Sequence, residues 1–256
     1  MGKIFAIAKL SVLELFRKKD VYVAIVLALV AIVPLAVVNA FGIEGAVRYI
    51  REVALLLVWG FSVIICVTTS ARQIPNETQR KTILPLLAKP VSRAQIALGK
   101  TLGSIIASWG ALAMFYGCYI VIAGLKSGIW IEPVLLQSVI LHACFAALAC
   151  SMTVCGSLAL TPSANITACL LIIAGGLLFG DHLPDLINKA PGLFRPPLIG
   201  LEYVLPRFEL FDLRARVIHS HAPVPAGVFL FILLYGAAYS AVFMGLAAGL
   251  FKRKQY

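Results

Sequence analysis

The stretch Val134–Leu160, VLLQSVILHACFAALACSMTVCGSLAL, decides the fold. It contains no Asp, Glu, Lys or Arg, and its apolar residues run on without alternating every second position. A half-buried strand would alternate, whereas a helix that crosses a hydrocarbon core of about 30 Å needs about 20 largely apolar residues in a row. Comparable runs lie on either side, at Val21–Phe41, Val53–Thr69, Thr101–Leu125, Ile166–Phe179 and Gly227–Leu250. Of the 256 residues 61% are hydrophobic and 13% charged, against about half and a quarter in a soluble domain. That excess exceeds what one water-soluble core can hide, so lipid is part of the solvent. In lipid the backbone must bond within helices or a closed barrel, and uninterrupted runs select helices.

The expected fold is an all-α integral membrane protein, a single transmembrane domain over residues 1–256 with six transmembrane helices. Residues 3–19 predict an amphipathic interfacial helix. Ile4, Phe5, Val12, Leu13, Leu15 and Phe16 share one half of its wheel; Lys3, Ser11, Glu14, Arg17 and Lys18 share the other. Ile7 and Leu10 interrupt the pattern. A cleaved signal peptide fits poorly, because the basic leader is long and mixed and no small-x-small site follows Ala40. The fifth run, Ile166–Phe179, is short. It must extend into its flanks, tilt little, or enter the bilayer only partly. The segment 180–225 before the last span is rich in proline and aromatics, and short helices at the outer surface fit it better than strands.

Six spans place both termini on one side, and basic residues choose which. The N-terminal arm, the 70–100 loop, the 161–165 turn and the tail hold 14 Lys and Arg against Glu14, Asp20 and Glu77. The opposite segments hold eight cations and eight acids. The whole net charge of +11 therefore falls on one face, which the positive-inside tendency assigns to the cytoplasm. Anionic lipid headgroups suffice as its partner, and nucleic acid is not required.

Several apparent motifs carry no chemistry. The six cysteines all fall in apolar runs and form no C-x-x-C, which fits packing between helices better than disulfides or zinc. Gly99-Lys100-Thr101 resembles the end of a phosphate-binding loop, but Ala94 occupies the leading glycine position and no strand precedes it. Asn76-Glu77-Thr78 and Asn165-Ile166-Thr167 match glycosylation sequons on the face assigned to the cytoplasm. His219-x-His221 on the outer side has too few ligands for a complete metal site. Gln137 and His142 lie within the fourth span, where polar groups mark either helix–helix hydrogen bonds or a substrate pathway. No Asp or Glu lies deep in a span, which disfavours ion-coupled pumping.

The loop Ser70–Lys100, SARQIPNETQRKTILPLLAKPVSRAQIALGK, presents an element for docking. Pro85 and Pro90 bracket Leu86-Leu87-Ala88-Lys89, an apolar knob rimmed by charge of the kind a partner's groove would bind. Ser92 with Gln95 three positions on predicts a capping box, so the third helix should start at Arg93, well before the lipid. A solvated basic loop held to headgroups is the plainer alternative.

Glu77-x-x-Arg80-Lys81-Thr82, Leu86 to Arg93, and Leu98-Gly99-Lys100 together resemble the loop before the third helix of ABC-2 type transporter permeases. Within that family the loop is most similar to permeases associated with multicopper-enzyme maturation, including the one serving nitrous-oxide reductase. Leu205 to Asp212 is similar to the outer segment before their last helix. The resemblance implies the transmembrane permease subunit of an ABC exporter, not itself an enzyme. It would pair with a second permease copy or homologue and be driven by separate cytoplasmic ABC ATPase subunits that bind ATP and Mg. This chain would hold no cofactor. Glu77, Arg80, Lys81 and Thr82 would form the coupling helix, with Leu86 and Leu87 at the same contact. Pro90, Ser92 and Arg93 would form the turn into the third helix. The implied location is a bacterial or archaeal plasma membrane with both termini cytoplasmic; a periplasmic protein partner is compatible with it. A secondary transporter or channel, and a non-transporting anchor, are the alternatives. The first needs intramembrane acids or an inverted repeat, and the sequence contains neither.

Overall fold

The computed structural model describes residues 2–17, 26, 46–75, 92–127, 131–180, 183–189, 191–192, 195–196, 199–200 and 205–253. Eight α-helices are assigned bounds among them: α1 (Gly2–Arg17), α2 (Ala46–Ala71), α3 (Arg93–Ser127), α4 (Pro133–Ser157), α5 (Pro162–Phe179), α6 (Leu183–Lys189), α7 (Arg214–Ile218) and α8 (Ala226–Arg253). A 3-10 turn, Phe208–Phe211, precedes α7. Five of the helices (α2, α3, α4, α5 and α8) are long and apolar enough to cross a membrane. They correspond to the expected second to sixth spans. The expected first span, Val21–Phe41, lies outside the described residues apart from Val26.

The helix ends follow local chemistry. Pro133 and Pro162 occupy the first turns of α4 and α5, where a missing N–H costs nothing and the fixed φ suits a helix. α5 therefore starts one turn before the expected Ile166. α4 stops at Ser157 rather than Leu160, because the amides of Leu158, Ala159 and Leu160 turn back onto Cys155 and Gly156. α3 is the longest at 35 residues, or about 52 Å at 1.5 Å per residue.

α4 sits at the centre, packed by α2, α3, α5 and α8 and buried over most of its length, with Leu136 and Ile140 exposed near its start. An all-round apolar helix is stable only when enclosed, and the small residues Ala146, Ala149, Cys150 and Ser151 let neighbours approach it. Polar side chains survive here by bonding their own helix. Thr69, Thr101, Thr153 and Ser240 each donate to the carbonyl four residues back, which satisfies the hydroxyl without a partner helix. All six cysteines are free thiols.

α1 is present as expected, but its packed side differs from the predicted one. Ile7, Ala8 and Ser11 are buried, whereas Phe5, Leu10 and Leu13 are exposed. The helix therefore has two apolar faces. One rests on α3 and the other is free for lipid. Ile7, read as an interruption, belongs to the first of them.

α5 has 18 residues, about 27 Å of helix, still short of a core of about 30 Å. The Phe208–Phe211 turn packs onto its end. Phe208 lies against Gly176 and Glu209 against Gly180. The short helices foreseen between the fifth and sixth spans are α6, the Phe208–Phe211 turn and α7.

Candidate functional site

Polar and charged groups singled out by sequence gather at two places. One is the end of the bundle where the 70–100 loop is rooted, called here the basic end. The other is a network in the opposite, far half.

At the basic end, the Ser92 amide donates to Gln95 Oε1 at 3.0 Å and the Gln95 amide to Ser92 Oγ at 3.3 Å. This is the reciprocal capping box expected from the sequence, and it starts α3 at Arg93. Glu77, Arg80, Lys81, Thr82, Leu86, Leu87 and Pro90 lie outside the described residues. Both roots of their loop are described, and each buries apolar side chains. Ile74 on one side and Ile96 and Ala97 on the other share a small apolar cluster. Ile7 of α1, Val154 with the adjoining Leu158 at the end of α4, and Ala247 and Phe251 of α8 complete it. Five segments of the chain meet there.

Two turns into α3 stands Lys100, 1% exposed, with its Nζ 3.2 Å from Glu14 Oε2 of α1. Gly99 and Gly103 flank it and admit α1. A β-carbon at Gly99 would stand 2.7 Å from Ile7 Cβ, and one at Gly103 would stand 2.5 Å from Ser11 Cβ. Neither contact was foreseen. The signal was the Gly99-x-x-x-Gly103 spacing, which lets membrane helices approach closely. The partial phosphate loop is disposed of by the same geometry. Gly99, Lys100 and Thr101 lie inside α3, and Thr101 Oγ1 donates to the Ala97 carbonyl at 2.9 Å.

In the far half, His142 is fully buried between α2, α3 and α4. Its Nε2 is 2.6 Å from Ser62 Oγ and its Nδ1 3.1 Å from the Tyr116 hydroxyl, which also reaches Ser138 at 3.5 Å. The ring stacks on Trp59 at 4.2 Å and 15°. The Arg214 guanidinium lies over Trp59 at 5.3 Å. Arg214 is held in turn by Asp212 through three contacts of 2.6–3.0 Å. Gln137 is bonded differently. Its Nε2 donates to the Val224 carbonyl at 2.9 Å, and the Val224 amide donates to its Oε1 at 2.8 Å. Gln137 thus clasps the chain entering α8, and His142 joins three helices.

Two further sequence features are settled locally. Asn165 is buried and donates to the Thr153 carbonyl at 2.9 Å, so this sequon joins α4 to α5 and offers no free amide. His219 and His221 stack at 5.5 Å, and Arg48 lies 3.1 Å from His219 Nε2. Among the described residues no three His, Cys, Asp or Glu side chains are grouped to hold a metal ion.

Compared with protein-family models, residues 4–178 match ABC-2 family transporter protein. The chain belongs to this family. The match spans more than half of the sequence, from α1 nearly to the end of α5, and takes in the 70–100 loop. No curated protein matches the chain. As an ABC-2 member with five described span-capable helices, the protein is a multi-pass membrane protein and an ABC transporter permease. The family implies partnership with an ABC ATPase.

Proposed function

We propose that this permease couples ATP hydrolysis on separate ATPase subunits to substrate export, through the loop between α2 and α3. The observation that carries the reading is the rooting of that loop: Ile74 and Ile96 sit in one cluster with α1, α4 and α8. A push on the loop is thereby delivered to the central helix and the last helix together. In this reading Glu77, Arg80, Lys81 and Thr82 meet the ATPase, Leu86 and Leu87 fill its groove, and Pro90, Ser92 and Arg93 make the stiff turn into α3. The basic end faces the cytoplasm of a bacterial or archaeal cell, and two permease copies pair across the plasma membrane. Gln137 and His142 border the route taken when the bundle opens. ATP and Mg stay on the partner. Kinship with permeases of multicopper-enzyme maturation rests on the resemblance of the loop and the segment before α8, and no metal chemistry is assigned to this chain.

The test is co-purification in mild detergent with the partner ATPase, followed by ATP turnover in reconstituted vesicles. Glu77→Arg and a paired Leu86→Asp, Leu87→Asp change should abolish the permease-stimulated turnover while membrane insertion stays normal. Unchanged stimulation and unchanged ATPase recovery in both variants would refute the coupling role. Transport without nucleotide would instead favour a secondary transporter or channel.

A further inference from the structure

The geometry points to the Phe208–Phe211 turn as a removable plug in the far half of the bundle, latched by the Asp212–Arg214 pair. Phe208 and Phe211 are fully buried, although the segment that carries them lies between two spans and belongs to neither. Phe211 reaches Gly236 of α8, where a β-carbon would stand 2.8 Å from its ring and 2.5 Å from Cys144 Sγ of α4. Gly236 is ten residues into α8, so the tip sits about 15 Å below that helix end. Phe208 occupies the notch at Gly176, with a β-carbon there 2.6 Å from its ring. Both rings meet Phe145, Phe208 edge-on at 5.8 Å and Phe211 at 6.3 Å. The seat is therefore built from glycines on two spans and floored by the residue next to the His142 network.

The plug differs from a span in what holds it. A span is retained by its own length in lipid. The turn has four residues and is retained by side-chain packing and by ties at its two ends. On one side the Arg207 amide donates to the Tyr235 hydroxyl at 2.9 Å. On the other, Asp212 grips Arg214, which lies over Trp59. Both members of that ion pair are partly exposed, so the latch can open without moving an isolated charge into lipid. The closed packing also leaves a polar group unsatisfied. Among the described residues the buried Trp59 indole N–H has no hydrogen-bond partner, a penalty that water or a ligand entering above Trp59 would relieve. Withdrawal of the turn would uncover Phe145, Trp59 and the Ser62–His142 pair. These would become the wall of a cavity that the closed bundle fills with phenylalanine.

The inference stands on this packing alone. Its link to ATP rests on the permease reading, and the experiment separates the two. Ser62→Cys, nearly isosteric and buried, serves as the reporter in the full-length protein, with Ser138→Cys as a second reporter should the first fail to fold. Labelling by a water-soluble methanethiosulfonate is read by peptide mass spectrometry, with native Cys150, deep in the basic half, as the internal control. Adding Arg214→Ala or Asp212→Asn should raise reporter labelling roughly tenfold or more while Cys150 stays unlabelled. No rise in either background would overturn the plug, and so would a parallel rise at Cys150, which would mean general loosening. In the complex with its ATPase, ATP should raise reporter labelling with Arg214 intact. A latch effect without an ATP effect would leave the plug standing and count against ATP-driven coupling.

Discussion

The close approach of α1 to α3 allows a substitution whose sign is opposite to helix propensity. Gly103→Ala adds one methyl group in the interior of a 35-residue helix, where alanine is favoured over glycine by about 1 kcal/mol. Its β-carbon would nevertheless lie 2.5 Å from Ser11 Cβ and 3.1 Å from the Ala8 carbonyl, against about 3.5–4.0 Å for comfortable carbon contacts. The obstructing atoms belong to the backbone and the first side-chain carbon of α1, so rotamer change cannot relieve them. Overpacking of this kind costs about 1–3 kcal/mol. Because α3 is helical with α1 docked or undocked, its propensity gain does not offset this, and the docking of α1 should weaken by about 1–3 kcal/mol, or roughly 5- to 150-fold in its opening equilibrium. Amide hydrogen exchange of residues 2–17 in detergent reads this directly. Gly117→Ala is the control, because among the described residues nothing lies within 4 Å of a β-carbon at that site of the same helix. It should leave α1 protection unchanged and modestly stiffen α3. Protection of α1 in Gly103→Ala within threefold of wild type would refute the claim that these glycines seat the N-terminal helix.

Other outcomes follow from the far-half network. His142→Leu removes both hydrogen bonds of the imidazole, about 1–2 kcal/mol together at the values measured between membrane helices. Thermal unfolding in detergent should fall by several degrees, and His142→Gln, which keeps hydrogen-bonding capacity, should lose less; equal losses would show that volume alone is at stake. Gln137→Leu breaks the two-way clasp on Val224 and should speed protease cleavage within 219–225 at least several-fold, leaving the fold of α4 intact by hydrogen exchange. Asn165→Ala should lower stability by about 1 kcal/mol through the lost tie to Thr153, and in a glycosylating host the native protein should carry no sugar at Asn165.

Much of this architecture was legible because it depends on residues close in sequence. Uninterrupted apolar runs mark spans, since lipid forbids an unsatisfied backbone wherever the helices go. The Ser92–Gln95 box could be read because its atoms are three residues apart. By contrast, the helical wheel puts Ser11 and Glu14 on a polar face, whereas in the structure Ser11 lies against Gly103 and Glu14 meets Lys100, both of α3. A helical wheel shows which residues share a side but not which side meets protein.

The second limit concerns distance along the chain. The sequence by itself determined that the protein is helical and membrane-spanning, because each property sums over local composition. It also showed that the fifth span was short. Only the tertiary structure decided what completes that span, since Phe208 and Phe211 reach Gly176 and Gly236 from separate elements. It alone decided that Gln137 clasps Val224, 87 residues away. Such pairings are set by which faces of packed helices come together, and no periodicity within one segment encodes them.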